Sequence, residues 1–415
     1  MRALRVLTFT SLFPSAARPR HGIFVETRLR QLLCHAPVEA RVVAPVPLFP
    51  WRSPIFGRYA EFAATRRSEH RAGGIEVVYP RYVMLPGVGV RFQPESMALV
   101  SARAIKRLQG EGFHPDVIDA HYLYPDGVAA SLLSARFGIP YTLTARGTDV
   151  NVLARLPGIS ARIRTAMAGA AAVITVSPGL RDSLLEIDPS VRNVSVLRNG
   201  VDTELFFPEA TDAAREAFGL GSAPLMLSVG NLVPEKGQLL AIEALTLLPG
   251  WELAIVGDGP QASSLKAAAQ TLGVADRVRF MAVVPQARLR LLYAAADVLA
   301  LTSLREGWPN VVLEAMACGT PVVATAVGAV GEMITKVGVG RIVQGRSALD
   351  FAAAITDTVK TRVSAAALRS HASSFDWRSI VLDQFELLYG ATRLKGVSAE
   401  AASPSPLHIS QRERC

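Results

Sequence analysis

Two glutamates lie eight positions apart, Glu306 in a loop and Glu314 in an apolar stretch, within REGWPNVVLEAMACG (residues 305–319). The stretch VVLEAMAC has the apolar spacing of a helix, with Asn310 as its expected N-cap and Gly319 as its expected end. A helix start offers unpaired N–H groups and a positive dipole end, which favour a phosphate. Carboxylates beside a phosphate can accept hydrogen bonds from hydroxyl groups, so Glu314 fits a ribose diol and Glu306 fits sugar hydroxyls. The alternative is two surface glutamates that only complement the helix dipole.

A lysine follows a glycine-bearing loop at the start of another expected helix. In LSVGNLVPEKGQLLAIEAL (residues 227–245) a strand pattern ends in this loop, and Lys236 directly precedes the helical pattern. An ammonium group there can neutralise a phosphate as a point charge, although a solvated surface lysine is the alternative. VGDGP (256–260) resembles half of a dinucleotide fingerprint, but it contains Pro260 and lacks the third glycine.

Polar residues also follow strand patterns in the first half of the chain. His121 ends one strand pattern, and Arg146 and Asp149 follow the next one, so His121 and Arg146 are expected to face one crevice. Such a histidine is either a satisfied structural group or a donor to a developing charge or a sugar hydroxyl. Gly22 precedes a helical pattern after the first strand, where it would let a phosphate or an acceptor approach the backbone.

Short apolar runs alternate with helix-length segments along the chain, which is typical of parallel α/β units. Strands are expected at 5–9, 39–45, 116–121, 140–145, 172–176 and 194–200, and then at 225–231, 251–259, 277–282, 297–303, 320–326 and near 340. An irregular linker separates the two series, and apolar spacing predicts one amphipathic helix over 377–393. The sequence therefore predicts two doubly wound domains with a cleft between them and ligands beyond the carboxyl ends of the strands.

Composition limits the class of protein. Half of the 415 residues are apolar and 19% are charged, which fits a soluble globular protein of two domains. There is no run of about 18 uncharged apolar residues, so no transmembrane helix is expected. The N-terminal MRALRVLTFTSLF fits a first buried strand better than a signal peptide. Three cysteines without a metal-binding spacing fit a reduced cytoplasm.

Positive charge is concentrated in the first half. Residues 1–200 contain 25 Lys/Arg and 14 Asp/Glu, a net charge of +11, and the remainder contains 19 and 21, a net charge of −2. The arginines are scattered, without the tight clusters and stacked aromatics of nucleic-acid surfaces, so no nucleic-acid partner is expected. An anionic membrane surface or a lipid phosphate is the preferred partner of this half.

These residues together resemble the retaining glycosyltransferases of family four, which have the two-Rossmann architecture known as GT-B. The most specific element, EGWPNVVLEAMACGTPVVAT, matches the family's Glu-x7-Glu signature from Glu306 to Glu314. DAHYLYPDG, NGVD, PEKG, VGDGP and YAAADVLALTS occur in family order at family spacing. The resemblance covers about residues 4–393, and SLFPSAARPRHGIFV is similar to the branch of bacterial transferases that build surface polysaccharides.

The resemblance implies a role for each matching residue. The catalytic residues would be His121 at the anomeric centre, Lys236 at the departing diphosphate and Glu306 at the donor sugar hydroxyls. The donor-binding residues would be Gly22, Asn231, Lys236, Val284, Glu306, Gly307, Trp308, Pro309, Asn310 and Glu314. Arg146 and Asp149 are candidate contacts to the acceptor. Family members retain the anomeric configuration, and the absence of any Asp-x-Asp in the chain agrees with a reaction that needs no metal or other cofactor.

One position departs from the family pattern. The family usually has an arginine about five residues before the lysine, where this chain has Asn231. The loss of a guanidinium removes bidentate phosphate binding and one positive charge. A weaker grip on the diphosphate is expected, for which Arg146 is a candidate compensation from the other domain.

The resemblance also predicts the organisation of the chain. Residues 1–202 would form an acceptor-binding domain, 203–375 a domain that binds the nucleotide sugar, 376–395 a closing helix that crosses back to the first domain, and 396–415 a disordered tail. The acceptor would be a growing glycan or a polyprenyl- or lipid-linked sugar, and the protein would be cytoplasmic and peripheral on the inner face of the membrane.

Rival classes share parts of this pattern. A nucleotide-sugar epimerase of the same architecture would need no acceptor, and a non-catalytic carbohydrate-binding relative would need no assembled set of catalytic motifs. A dinucleotide oxidoreductase is disfavoured because TSLFPSAARPR follows the first strand in place of a Gly-x-Gly-x-x-Gly turn. The sequence therefore favours a transferase whose donor is a UDP- or GDP-linked sugar.

Overall fold

The structure is a computed structural model that describes residues 2–84 and 89–393. It divides into two compact units: the first contains the chain up to Arg198 and again from Arg378, and the second is Asn199–Trp377. These boundaries differ by a few residues from the predicted ones at 202/203 and 375/376. The predicted disordered tail, 396–415, lies outside the described residues.

The first unit is an α/β layer structure. Its strands are β1 (Leu4–Phe9), β2 (Val38–Val43), β3 (Val46–Pro47), β4 (Ser68–Arg71), β5 (Ile75–Val78), β6 (Arg81–Tyr82), β7 (Val117–His121), β8 (Tyr141–Ala145), β9 (Ala172–Thr175) and β10 (Val194–Val196). Its helices are α1 (Ile23–His35), α2 (Arg58–Ala64), α3 (Gly89–Gly110), α4 (Val128–Phe137), α5 (Thr148–Asn151), α6 (Ile159–Ala168), α7 (Pro178–Ile187) and, from the end of the chain, α16 (Trp377–Arg393).

The main sheet of the first unit has the order β10-β9-β8-β7-β1-β2-β5-β4. All neighbouring strands are parallel except the edge strand β4, which runs antiparallel to β5. The chain moves outward from β1 through β2 and then returns to β7 on the other side of β1, so right-handed crossovers place helices on both faces. The central strands β7 and β8 are buried along their whole length, as expected for parallel strands covered on both faces, although each contains two buried polar residues.

The second unit repeats this architecture in a more regular form. Its strands are β11 (Leu225–Val229), β12 (Glu252–Val256), β13 (Val278–Met281), β14 (Val298–Leu301), β15 (Val322–Thr325) and β16 (Gly340–Val343). Its helices are α8 (Thr211–Glu216), α9 (Leu239–Thr246), α10 (Ala262–Thr271), α11 (Gln286–Ala295), α12 (Asn310–Ala317), α13 (Val330–Met333), α14 (Ala348–Thr361) and α15 (Ala365–Ser373). The sheet order β13-β12-β11-β14-β15-β16 is fully parallel and is that of a Rossmann fold.

The core of the second unit lies between the sheet and its helices. Met226, Ile255 and Val298 from adjacent strands pack with Leu245 of α9 and Phe351 of α14. All five are buried, so the unit has its own hydrophobic core and a rigid platform for the loops at the strand ends.

The amphipathic helix predicted over 377–393 is confirmed as α16. Val381, Gln384, Leu388 and Ala391 are all buried and recur at helical spacing, so they form one face. Gln384 donates its amide to Asp119 on β7 at 2.8 Å, which fixes this helix to the sheet of the first unit.

Some details of the fold differ from the sequence prediction. The hairpin formed by β4 and β5 and the small pair β3 and β6 were not predicted, because these segments are short and contain charged residues or proline. The strand predicted at 194–200 is shorter, since only Val194–Val196 pairs with β9. Within 2–84 and 89–393, no helix combines the length and the apolar character needed to span a bilayer.

Candidate active site

The site in the second unit lies where the strand order of its parallel sheet reverses. The neighbouring strands β11 and β14 are parallel but are followed by connections that move to opposite sides, so their trailing loops open a crevice at one sheet edge. The loop after β11 carries Lys236 in a short 3-10 turn, and the loop after β14 carries Glu306. The topology therefore brings together two residues that are 70 positions apart in the sequence.

Lys236 and Glu306 form an ion pair in this crevice. The Lys236 ammonium Nζ donates to Glu306 Oε1 at 2.6 Å, and Ser303 Oγ donates to the same oxygen at 2.6 Å. The Lys236 side chain is 29% exposed and that of Glu306 is 10% exposed, so the pair is accessible mainly from the lysine side. A charge-assisted hydrogen bond in this partly buried place holds both groups in a defined geometry.

Glu314 is on α12, the helix that follows this loop. Tyr293 of α11 donates its hydroxyl to Glu314 Oε2 at 2.8 Å. Burial raises the pKa of Glu314 to about 7, and the hydrogen bond from Tyr293 opposes this effect only in part. The structure therefore keeps a carboxylate at a position where its charged form is poorly solvated, which is typical of functional sites.

The start of α12 differs in one detail from the prediction. Pro309 occupies the N-cap position and Asn310 is the first helical residue, so the prediction of Asn310 as the N-cap is wrong. The reason is that Asn310 Oδ1 accepts a hydrogen bond from Asn199 Nδ2 at 3.2 Å, and no side-chain bond caps the helix within the described residues. At the other end, Gly319 takes a left-handed conformation and Thr320 N–H bonds back to Ala315, so the predicted helix end is confirmed.

The loop before α12 contains the other predicted donor contacts. Trp308 is buried against the ring of Phe375, with ring centroids 6.0 Å apart. Its indole N–H has no acceptor in the part of the chain that the structure describes, so an oxygen of a ligand could accept from it. Gly307 is half-buried, and the roles of Gly307, Trp308, Pro309 and Asn310 in donor binding stay predictions.

A glycine from another loop packs directly on Glu306. Gly328 has a φ of +51°, and a Cβ atom added there would lie 2.3 Å from the Glu306 carbonyl oxygen. Only glycine fits this combination of backbone conformation and close approach. The position of Glu306 is therefore set from two sides, by the Lys236 and Ser303 bonds and by the loop that contains Gly328.

The two remaining predicted donor contacts of this unit follow two other strand ends, those of β11 and β13, which are separated by β12. Asn231 follows β11 and is exposed, and its backbone carbonyl accepts from the Gln238 side-chain amide at 3.0 Å. Val284 is half-buried in the loop between β13 and α11. Both strands belong to the same parallel sheet, so these residues lie at the same sheet edge as Lys236, and their binding roles stay predictions.

The first unit has its own polar cluster at the end of β7. His121 Nε2 lies 3.3 Å from Asp119 Oδ2, and both side chains are 2% exposed. Arg146, after β8, places Nη2 2.7 Å from His121 Nδ1. The predicted proximity of His121 and Arg146 is thus confirmed. Asp119 also accepts from Gln384, and Gln384 accepts from Arg28 Nε at 2.6 Å.

These contacts determine the protonation of His121. A guanidinium has no acceptor, so Arg146 must donate and Nδ1 must accept. Burial, opposed by Asp119 and reinforced by the charge of Arg146, holds the pKa of His121 below its ordinary value, so the ring is neutral at pH 7. The single proton of the neutral ring is therefore on Nε2 and points to Asp119. Both ring nitrogens are engaged inside the unit, so an action of His121 on a substrate would pass through Arg146.

Asp149 has a structural position in the first unit. Its carboxylate accepts backbone N–H groups from Leu123, Arg146 and Gly147 at 2.8–3.2 Å, and the side chain is fully buried. These bonds shape the loop that contains Arg146. Because the Asp149 carboxylate is buried and bonded to this loop, it has no exposed oxygen that an acceptor could contact. Of the two predicted acceptor contacts, Arg146 is the half-buried one, and its role stays a prediction.

Gly22 lies at the start of α1 with a φ of +74°. A Cβ atom there would lie 2.0 Å from the carbonyl oxygen of Leu12, so the loop after β1 packs tightly on this glycine. A side chain is excluded at this position for a structural reason, and the prediction that a phosphate approaches the Gly22 backbone remains open to test.

Sequence reasoning missed several residues that hold the predicted ones. In the first unit, Asp119 precedes His121 by two positions on one strand, so the alternation of a strand already places both on the same face. In the second unit, Tyr293 and Ser303 lie within segments that were recognised, but nothing in their spacing showed that they face Glu314 and Glu306. Within 2–84 and 89–393, no group of three or more His, Cys, Asp or Glu side chains could hold a metal ion.

Comparison with known proteins covers both units. The family model described as Glycosyltransferase Family 4 matches residues 30–205, and the one described as Glycosyl transferases group 1 matches residues 211–374. TuaC of Bacillus subtilis (strain 168), a glycosyltransferase provisionally assigned to teichuronic acid biosynthesis, is 31% identical over 338 residues. The match spans 80% of this chain and 84% of TuaC.

Solved structures show the same fold. The sucrose-phosphate synthase from Thermosynechococcus elongatus superposes with a TM-score of 0.75 at 20% identity and covers 93% of this chain and 98% of its own. Anabaena HepE in complex with UDP-glucose has a TM-score of 0.68 at 21% identity and covers 93% and 99%. The predicted GT-B fold is confirmed, and the chain belongs to the family 4, group 1 glycosyltransferases.

Proposed function

We propose that the protein is a retaining, metal-independent hexosyltransferase that moves a sugar from a UDP- or GDP-linked donor to a lipid-linked or growing glycan acceptor in the synthesis of a cell-surface polysaccharide. The observation that carries this proposal is the 2.6 Å pair of Lys236 and Glu306 at the strand-end crevice of the second unit. This crevice holds a cation for a diphosphate and a carboxylate for hydroxyl groups next to a helix start.

The donor would bind through three kinds of group. Lys236 would bind the diphosphate, so that its ammonium group exchanges the Glu306 carboxylate for a phosphate oxygen as its anionic partner. Glu306 would then be released to accept from the sugar hydroxyls. Glu314, which is partly buried on α12, would accept hydrogen bonds from the ribose diol. The complex of Anabaena HepE with UDP-glucose supports a uridine donor for a protein of this fold.

The reaction would need little covalent chemistry from the protein. The acceptor oxygen attacks the anomeric carbon on the side of the leaving group, the bond from that carbon to the phosphate oxygen breaks, and the acceptor proton passes to the departing diphosphate. The contribution of Lys236 is to stabilise the negative charge that develops on the diphosphate. The contribution of Glu306 is to hold the sugar in position for attack.

The acceptor is proposed from two observations. The name of TuaC connects a relative of 31% identity with the synthesis of teichuronic acid, which supports a glycan acceptor. The net charge of +11 on residues 1–200 supports a position on the inner, anionic face of the cell membrane, where lipid-linked acceptors would be available. An epimerase or a non-catalytic carbohydrate-binding protein is not favoured, because the matched families and relatives are glycosyltransferases.

The donor site is tested by thermal stabilisation with UDP, GDP and ADP. A nucleotide at about 100 times its dissociation constant adds about 2.7 kcal/mol of stability to the protein. We expect one of the three to stabilise the parent and to act at least about tenfold more weakly on Lys236→Ala, since a charge-assisted bond to the diphosphate is lost. Lys266→Ala, which removes an exposed lysine of α10, is the matched control.

The outcome separates the parts of the proposal. Equal stabilisation of the parent and Lys236→Ala would exclude the donor site at this pair. Once the nucleotide is known, transfer from the corresponding sugar nucleotides is followed in the presence of a chelator. The configuration of the product at its anomeric carbon is then read by NMR. Inversion of the anomeric configuration would overturn the retaining part of the proposal. Loss of transfer in the presence of the chelator would overturn the metal-independent part.

A further inference from the structure

Large exposed apolar side chains are concentrated in one region of the first unit. Ile55 is 83% exposed, Phe92 68% and Trp51 59%, although burial of such side chains ordinarily stabilises a fold. Leu48 and Val83 are also more than half exposed. We refer to these five residues as the apolar patch. Contiguous apolar surface of this kind marks an interaction site.

Hydrogen bonds bring together the segments that contain Leu48, Val83 and Phe92. Strand β3 pairs with β6, and Leu48 N–H donates to the Tyr82 carbonyl at 2.7 Å, which places Leu48 beside Val83. Ser96 of α3 donates its hydroxyl to the Val83 carbonyl at 3.0 Å. Phe92 lies one helical turn before Ser96 and therefore on the same side of α3. Three segments that are separate in the sequence thus contribute to one surface.

A cluster of aromatic rings supports the patch from beneath. The ring of Phe49 lies 5.6 Å from Trp51, 5.4 Å from Phe56 and 5.3 Å from Tyr59, measured between centroids. Trp51 also stacks on Phe56 at 5.6 Å. These rings hold Trp51 and Tyr59 at the surface, where the indole and phenol have one apolar and one polar side, as at a membrane interface.

The surroundings of the patch are basic. Arg52, Arg66, Arg67 and Arg91 are exposed in the segments that carry or flank the patch residues. The Arg81 guanidinium donates to the carbonyls of Phe62 and Thr65, and burial, together with the positive charges of Arg67 and Arg52, lowers the pKa of Arg81.

The carboxylates near the patch already have arginine partners. Glu61 pairs with Arg18 at 3.4 Å, and Glu95 pairs with Arg162. The edge of the patch therefore presents positive charge that a partner can use.

We propose that the apolar patch and its arginines form the surface by which the protein docks on an anionic lipid bilayer. Trp51, Ile55 and Phe92 enter the boundary between headgroups and acyl chains, and the arginines contact lipid phosphates. The biological purpose rests on the proposed use of a lipid-linked acceptor, but the docking is a property of this surface alone and is measured without any donor or acceptor.

Charge favours a bilayer over a second copy of the chain. A symmetric dimer through this surface would bring two identical basic borders together, which costs free energy. An anionic bilayer instead offers negative charge along the whole border and an apolar layer beneath it. The mixture of aliphatic, aromatic and arginine side chains fits the depth profile of such an interface.

The test is sedimentation of the full chain with vesicles of two parts phosphatidylcholine to one part phosphatidylglycerol. The triple variant Trp51→Ser, Ile55→Ser and Phe92→Ser should lower vesicle binding at least about a thousandfold, since each of the three lost apolar side chains contributes about tenfold or more. The matched control replaces Leu247, Val337 and Leu349, three exposed apolar residues of the second unit, by serine and should bind as the parent does.

The charge part of the proposal has its own variant. Arg52→Gln with Arg67→Gln should weaken binding at low salt about fivefold for each arginine, and added salt should weaken the parent in the same way. Vesicles of phosphatidylcholine alone should bind the parent weakly. Unchanged far-UV circular dichroism and unchanged nucleotide stabilisation in each variant show that the fold and the donor site are intact.

Three results would overturn the proposal. The parent could fail to bind the anionic vesicles, the apolar triple variant could bind as the parent does, or the parent could form a dimer in solution that this triple variant abolishes. Each result is independent of the donor experiment, because a protein that binds no nucleotide can still be measured on vesicles. Vesicle binding can equally fail in a protein that binds its nucleotide.

Discussion

Glu314→Gln should remove a pH-dependent loss of stability from the protein. The carboxyl of Glu314 has a pKa of about 7 in the folded chain, raised by burial from the ordinary value of 4.5. Between these two values the unfolded chain releases the proton while the folded chain keeps it, so the unfolded state binds fewer protons. The free energy of unfolding therefore falls as the pH rises from about 4.5 to about 7 and stays lower above that.

The size of the effect follows from the shift. The rise from 4.5 to about 7 corresponds to about 3 kcal/mol of stability that is present at low pH and absent at high pH. Glutamine has nearly the same shape and can still accept the bond that Tyr293 donates at 2.8 Å. We therefore compare the unfolding free energy of Glu314→Gln with that of the parent at two pH values. The difference should shift in favour of the variant by about 3 kcal/mol between pH near 4.5 and pH above about 7.

The assay is urea unfolding of the parent and Glu314→Gln at several pH values in this window, followed by tryptophan fluorescence. Glu216→Gln, which changes an exposed carboxylate of α8, serves as the control. Its unfolding free energy should differ from that of the parent by the same amount at every pH. A difference between parent and Glu314→Gln that stays constant within about 0.5 kcal/mol would refute the reasoning, because a buried carboxyl with a raised pKa must contribute to the slope.

The same variant connects stability with function. The donor ribose is proposed to donate to the Glu314 carboxylate, so Glu314→Gln should gain stability at high pH and lose affinity for the nucleotide at least about tenfold, since bonds to a charged acceptor are about twice as strong as neutral ones. A variant that gains stability and keeps its nucleotide affinity would show that Glu314 does not bind the ribose.

Three further changes test other parts of the site. Asn231→Arg should raise nucleotide affinity about tenfold by adding a guanidinium to the loop after β11, and a flat or lower affinity in thermal stabilisation would refute the missing-charge interpretation. Asp119→Asn should lower the free energy of unfolding by about 3–5 kcal/mol, because it leaves buried cationic and donor groups without a carboxylate; urea unfolding showing a change below about 1 kcal/mol would contradict this. Gly328→Ala should displace the loop of Glu306 and weaken nucleotide binding, whereas Gly331→Ala, with open space at its Cβ, should not; equal nucleotide titrations of the two variants would refute this account.

Much of the site in the second unit could be predicted from the sequence because it depends on local patterns. Lys236 and Glu306 each follow an apolar strand pattern, and parallel strands bring their carboxyl ends to one edge. The bond between them follows from the strand order β11 next to β14, which strand patterns alone leave open. The Rossmann order supplied by the family resemblance was enough to place both residues in one crevice.

The cluster in the first unit was less predictable for a physical reason. Its members meet by tertiary packing alone: Arg28 is on α1, Asp119 is on β7 and Gln384 is on α16. No periodicity in the sequence shows that a glutamine on a C-terminal helix faces a strand near residue 120. Asp149 was predicted to contact the acceptor, but in the structure its carboxylate accepts hydrogen bonds from backbone N–H groups. The sequence pattern did not show this structural use.

The return of the chain to the first unit has a consequence for the order of events during synthesis. Gln384, which links Arg28 to Asp119, lies 265 residues after Asp119. At roughly 5–20 residues per second, a ribosome needs roughly 13 to 53 seconds to make that stretch. All of Asn199–Trp377, which has its own core, is made during this interval, before the last helix of the first unit is available to its sheet. The middle of the chain can therefore reach its final form before the beginning does.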